Sequence, residues 1–90
     1  MRPLSRGTVS LSSANPFDKP KIAPNYLSDN EDQQVAVESI LKARELMATN
    51  EMAVFEPEEF MPGKNFVKPE ELVQEAGKIS TTIFHPVGTA

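Results

Sequence analysis

Apolar and polar residues recur along this chain with two different periods, and each period points to an element. Ala36, Val37, Ile40, Ala43 and Met47 fall at three- and four-residue steps, which places them on one face of an α-helix. Ser28 followed by Glu31 reads as a capping box, in which hydroxyl and carboxylate each satisfy a free backbone N–H. Leu27 sits just before that cap. Asp29, Glu31 and Asp32 put negative charge at the positive end of the helix dipole, and Lys42 and Arg44 lie in the second half, where cations suit it. The pattern predicts a helix over 29–48. A second helix is predicted over 69–79. It opens on Pro69, a residue favoured at the first helical position, continues through Glu70 and Glu71, and carries a stripe of Leu72, Val73, Ala76 and Ile79.

The two-residue period appears at the ends of the chain. Thr8, Val9, Ser10, Leu11 and Ser12 alternate, so a half-buried strand is expected over 7–12. Ser80, Thr81, Thr82, Ile83 and Phe84 read as a second strand, over 80–85, leading into His85. Between the first strand and first helix, three prolines in thirteen residues preclude a helix. They indicate an extended connector pinned by Phe17, Ile22 and Tyr26. The segment between the helices reads as loop, with one helical turn near 51–54. Its Phe55, Phe60, Met61 and Phe66 are expected to lie against a surface. The fold class is α+β: two helices packed on one face of an incomplete, mainly antiparallel sheet.

Composition narrows the function classes. The 90 residues carry a formal charge of -4, which speaks against nucleic acid and against a polybasic membrane contact. There is no cysteine, which excludes disulfides and thiol catalysis. No apolar run approaches the ~20 residues of a membrane helix, and the opening residues lack the apolar stretch of a signal peptide. A cytoplasmic setting is expected. The acidic run Asp29, Asn30, Glu31, Asp32 lacks the glycine and glutamate of a calcium loop at the sixth and twelfth positions, which are Gln34 and Ile40. Helix capping accounts for it. Glu56, Glu58 and Glu59 read as a solvated loop. No Gly-x-Ser-x-Gly elbow supports a serine hydrolase.

The chemical signal lies in "FHPVGTA". Its histidine, His85, is the only one in the chain. A lone histidine is ordinarily unremarkable, but its neighbours restrict it. Pro86 pushes His85 into an extended backbone conformation, and Gly88 lets another group approach the main chain closely.

"FHPVGTA" resembles the histidine motif, His-Pro-x-Gly-Thr, of the glucose–methanol–choline (GMC) family of flavin oxidoreductases. "RPLSRGTVSL" is similar to the segment that starts the family's C-terminal domain, and "KIAPNYLSDNEDQQV" to the stretch that leads into that domain's long helix. The three occur in the family's order and cover nearly the whole chain. The resemblance implies that His85 stands before the flavin ring and accepts the substrate hydroxyl proton. It also implies that Pro86, Val87, Gly88 and Thr89 run close to the FAD. Ile83, two residues before His85 on the predicted strand, is expected to line the substrate pocket together with Phe84.

Two family features are absent from these 90 residues: the Gly-x-Gly-x-x-Gly turn that seats the FAD diphosphate, and a second catalytic histidine or asparagine. The chain is therefore expected to be part of the C-terminal, substrate-binding domain of an enzyme, unable to bind FAD by itself. The full enzyme would oxidise an alcohol to an aldehyde or ketone and would need the missing FAD-binding domain. Self-association of the isolated chain is expected. The competing reading is a non-catalytic helical module that binds a partner through the methionine-bearing face of the first helix.

Overall fold

The computed structural model describes residues 2–82. Its elements run β1 (Thr8–Ser10), β2 (Lys21–Ala23), α1 (Asn30–Met47), α2 (Asn50–Ala53) and α3 (Pro69–Ile79). The α+β class holds. The packing differs from the expected arrangement: α1 and α3 pack on each other, and among the described residues the β-ribbon has no packed interface with any helix.

α1 starts from Asp29, not from a Ser28 capping box. Asp29 is extended (φ −93°, ψ 140°) and its carboxylate accepts from the Glu31 N–H at 2.8 Å. A carboxylate at this position satisfies an orphan donor and also complements the helix dipole. Asp32, one turn on, is used differently. It accepts from the backbone N–H groups of Leu4 (2.9 Å) and Ser5 (2.7 Å), while Ser5 Oγ accepts from the Asp29 N–H (3.1 Å). The Ser5 hydroxyl and these two amides hold the Asp32 carboxyl below its ordinary range. They also tie the N-terminal segment to the start of α1.

α3 begins at Pro69 behind an extended Lys68, whose N–H donates to Glu71 Oε2 at 3.3 Å. It ends where Ser80 turns extended (φ −79°, ψ 145°), the Ser80 N–H still reaching the Ala76 carbonyl at 2.9 Å. Val37 of α1 and Leu72 and Ala76 of α3 are the buried apolar residues among those described, and Leu72 is fully enclosed. Only the first half of the predicted α1 stripe is covered: Ala36 and Ile40 are half-buried, but Ala43 and Met47 are exposed. Truncating a fully buried leucine removes its transfer energy and leaves a cavity. Leu72→Ala is therefore expected to destabilise the full-length protein by about 2–5 kcal/mol, read as a fall in the urea midpoint. An unchanged midpoint would show that the α1–α3 contact does not depend on this side chain.

β1 and β2 form an antiparallel ribbon in which Val9 faces Ile22. β1 is shorter than the expected 7–12 strand, and its partner comes from the segment read as a connector. Pairing ends at Gly7, where a Cβ would collide with the backbone oxygens of Ala23 and Pro24. The strand is not half-buried: Val9, Leu11 and Ile22 are exposed, and so are Phe17 (93%) and Tyr26, which pin nothing within the described residues. Ser80, Thr81 and Thr82 are not in a strand, and the rest of the predicted 80–85 strand lies outside the described residues. No helix among the described residues is long and apolar enough to cross a membrane.

Candidate functional site

Every residue assigned to the site from sequence (Ile83, Phe84, His85, Pro86, Val87, Gly88 and Thr89) lies outside the described residues. What the structure describes is the framework that leads to them. α3 is held against α1 through Leu72 and Ala76, it ends at Ile79, and His85 follows six positions later in the sequence.

Ile79 also lines a groove of about 820 Å³ beside the C-terminal half of α1. Ile40 and Met47 of α1 form one wall, and Phe60, Met61 and Val67 of the loop before α3 contribute others. Most of this lining is hydrocarbon. Its polar lining includes an ion pair that sequence reasoning missed.

Arg44 joins α1 to the loop through a single guanidinium. Its Nε donates to Glu59 Oε2 at 2.9 Å and its Nη2 to Glu59 Oε1 at 2.8 Å, the bidentate arrangement that suits a planar fork. Nη1 also donates to the Phe66 carbonyl (3.0 Å) and Nη2 to the Gly63 carbonyl (3.1 Å), while Glu59 Oε1 accepts from the Gly63 N–H (3.1 Å). Gly63 has φ +106°, a conformation that side-chain-bearing residues rarely adopt. The two charged side chains are 24% and 17% exposed, so water screens them only in part. Two expectations are corrected here. Arg44 is not simply a cation placed to suit the dipole, and Glu59 does not belong to a solvated loop. The signal was present in the phase: Arg44 lies seven residues after Val37 and four after Ile40, on the apolar stripe itself. Phe66 is half-buried, whereas Phe55 and Phe60 (88%) are exposed, Phe60 reaching only the open rim of the groove.

The Arg44 hydrogen bond, above all, holds the Glu59 carboxyl below its ordinary value of 4.5. Because the folded-state pKa is depressed, the stabilisation is fully present above 4.5, erodes as pH falls below it, and is gone once pH passes below the lowered folded pKa. The full-length wild-type protein is accordingly expected to be more stable than its Glu59→Gln variant at pH 7, with the gap in thermal midpoint closing on acidification below 4.5. A gap that stayed constant with pH would assign the effect to shape alone.

Comparison with known proteins brings these residues into one context. Residues 3–90 match a family profile described as GMC oxidoreductase. The chain is 41% identical over 97% of its length to "Alcohol dehydrogenase [acceptor]" of Pseudomonas putida. It is 44% identical over 94% of its length to "Choline oxidase" of Arthrobacter globiformis. To "Oxygen-dependent choline dehydrogenase" of Vibrio vulnificus it is 41% identical, again over 94% of its length. It spans only 16%, 16% and 15% of the lengths of these relatives, respectively. No solved structure matches it.

Proposed function

The chain belongs to the GMC oxidoreductase family, within its C-terminal domain, and from that premise we propose that it is part of an FAD-dependent enzyme that oxidises an alcohol to an aldehyde or ketone. The observation that carries this reading is a match running through residues 3–90, which includes the "HPVGT" segment and therefore His85. The relatives' names, which specify alcohol and choline as substrates, support a small-molecule alcohol as the substrate class here.

The described residues do not themselves suit FAD. A flavin dinucleotide presents a diphosphate, which favours a helix N-terminus with free N–H groups and no opposing charge. α1 opens with Glu31 and Asp32 in its first turn, and α3 with Glu70 and Glu71. Both ends repel a diphosphate. FAD would therefore be seated by polypeptide beyond this chain, with Pro86, Val87, Gly88 and Thr89 supplying a short edge against it. When bound, the flavin would supply the hydride acceptor.

This chain contributes the base. The His85 imidazole takes the substrate hydroxyl proton, a role that the acid–base chemistry of imidazole suits. Ile83 and Phe84 give the pocket apolar walls beside it. The reading is tested by mixing the full-length protein anaerobically with a panel of alcohols. Bleaching of the bound flavin on adding an alcohol is the expected result. A flavin that no alcohol reduces, or a full-length protein that carries none, would overturn the assignment.

A further inference from the structure

We propose that Asn25-Tyr26-Leu27 is a hinge between the β-ribbon and the helices, and that Ser5, Asp29 and Asp32 form the clasp that holds it closed. Among the described residues the ribbon packs against no helix, so its orientation rests on the link from β2 into α1 and on the segment before β1. The link carries two left-handed residues, Asn25 (φ 54°) and Leu27 (φ 56°). Asparagine tolerates that conformation; for a leucine it is costly and persists only where the surroundings hold it. Each is secured to a different side. Asn25 Nδ2 donates to the Arg6 carbonyl, beside β1, at 3.1 Å. The Leu27 carbonyl accepts from Gln33 Nε2 of α1 at 2.8 Å, and a Cβ on Gly77 of α3 would meet Leu27 Cδ1 at 3.9 Å. Tyr26, between them, is exposed. The pivot falls there, because a few link residues with unusual backbone angles are where a hinge absorbs its rotation.

The clasp closes the second connection. Arg6 Nη1 donates to the carbonyls of Pro3, Leu4 and Ser5 (2.8, 3.2 and 3.1 Å), which curls residues 3–5 around one guanidinium. The successive Leu4 and Ser5 N–H groups then each meet their own oxygen of Asp32. Hydrogen bonds to an ionised acceptor are roughly twice as strong as neutral ones. Ser5 Oγ accepts the Asp29 N–H in return. All three residues are half-buried. Opening this polar contact leaves intact both the Val37–Leu72–Ala76 core and the pairing of β1 with β2. The clasp can therefore release the ribbon as a unit.

The test uses the full-length protein that carries this chain. Asp32→Asn keeps the shape but turns an NH₂ group toward one of the two amide donors, and Ser5→Ala removes the hydroxyl. Amide exchange at residues 4, 5 and 29 is expected to quicken by about 10–100-fold in Asp32→Asn and about 2–10-fold in Ser5→Ala. Amides paired within the ribbon, and those of α1 after its first turn, should exchange as in the wild type. Spin labels on Lys21→Cys and Glu38→Cys, in a background cleared of other reactive cysteines, are expected to report one narrow distance that broadens on Asp32→Asn. Unchanged exchange at residues 4, 5 and 29 in both variants would overturn the clasp. Exchange quickened throughout the ribbon and α1 would show general unfolding and overturn it equally. Faster exchange at the three residues with an unmoved label distance would overturn the hinge, since the orientation would then be held elsewhere. If Asp32→Asn does not accumulate as folded protein, Ser5→Ala, which removes no charge, decides the question by the same two measurements.

Discussion

His85→Ala in the full-length enzyme is expected to lower alcohol turnover by about 10²–10⁴-fold, the usual contribution of a well-placed general base, while the flavin stays bound. The expectation separates two roles that one residue could have. A base acts only on the proton in flight, so its removal leaves the cofactor seated and the loss falls on kcat. An anchor for the cofactor would release flavin on substitution, and the visible spectrum of the purified protein would show it. The pH dependence gives a second check. With His85 as base, kcat/KM rises with pH as the imidazole loses its proton, and this limb should disappear in His85→Ala. Near-normal turnover in the variant would end the assignment.

How much of this was legible in the sequence depends on how local the governing interaction is. α3 could be read residue by residue. Pro69, the glutamates behind it and the Leu72–Ala76 stripe all act within one or two turns, and the helix runs Pro69–Ile79. α1 was legible in kind and nearly in extent, yet its cap fell on Asp29. Asp29 is also tied to Ser5, 24 residues away in sequence, whose hydroxyl accepts the Asp29 N–H, a contact that no local pattern contains.

β2 was missed for a related reason. Three residues between prolines carry no alternation of their own, and only pairing with Thr8–Ser10 makes them a strand. The Arg44–Glu59 node spans 15 residues and joins a helix to a loop with no periodicity, so pattern reading saw two unrelated surface charges. The histidine motif was recognised from its residues alone.

The isolated 90-residue chain is expected to associate with itself, or to lack a cooperative unfolding transition, even though its helices are well specified. Only Val37, Leu72 and Ala76 are buried among the described residues, while Val9, Leu11, Phe17, Ile22, Phe55 and Phe60 are exposed. The chain presents 8078 Å² of surface, against roughly 5,200 Å² for a compact protein of this mass. Its radius of gyration is 17.6 Å, where about 12 Å would be usual for a compact domain of this length. The ribbon adds a second hazard. It is two short strands with an apolar Val9–Ile22 pair and, among the described residues, no helix over it, and a lone two-stranded ribbon is marginal in water with edges open to pairing. α1, at 18 residues, is long enough to persist in part but gains most of its stability from packing. Light scattering after size exclusion is expected to report a mass above that of one chain, and thermal melting a broad, shallow change. Supplying the rest of the polypeptide in the same chain should sharpen the transition, by covering the aromatic side chains and the ribbon. A strict monomer of the 90-residue chain that melted sharply would show that the Leu72-centred contact is a sufficient core.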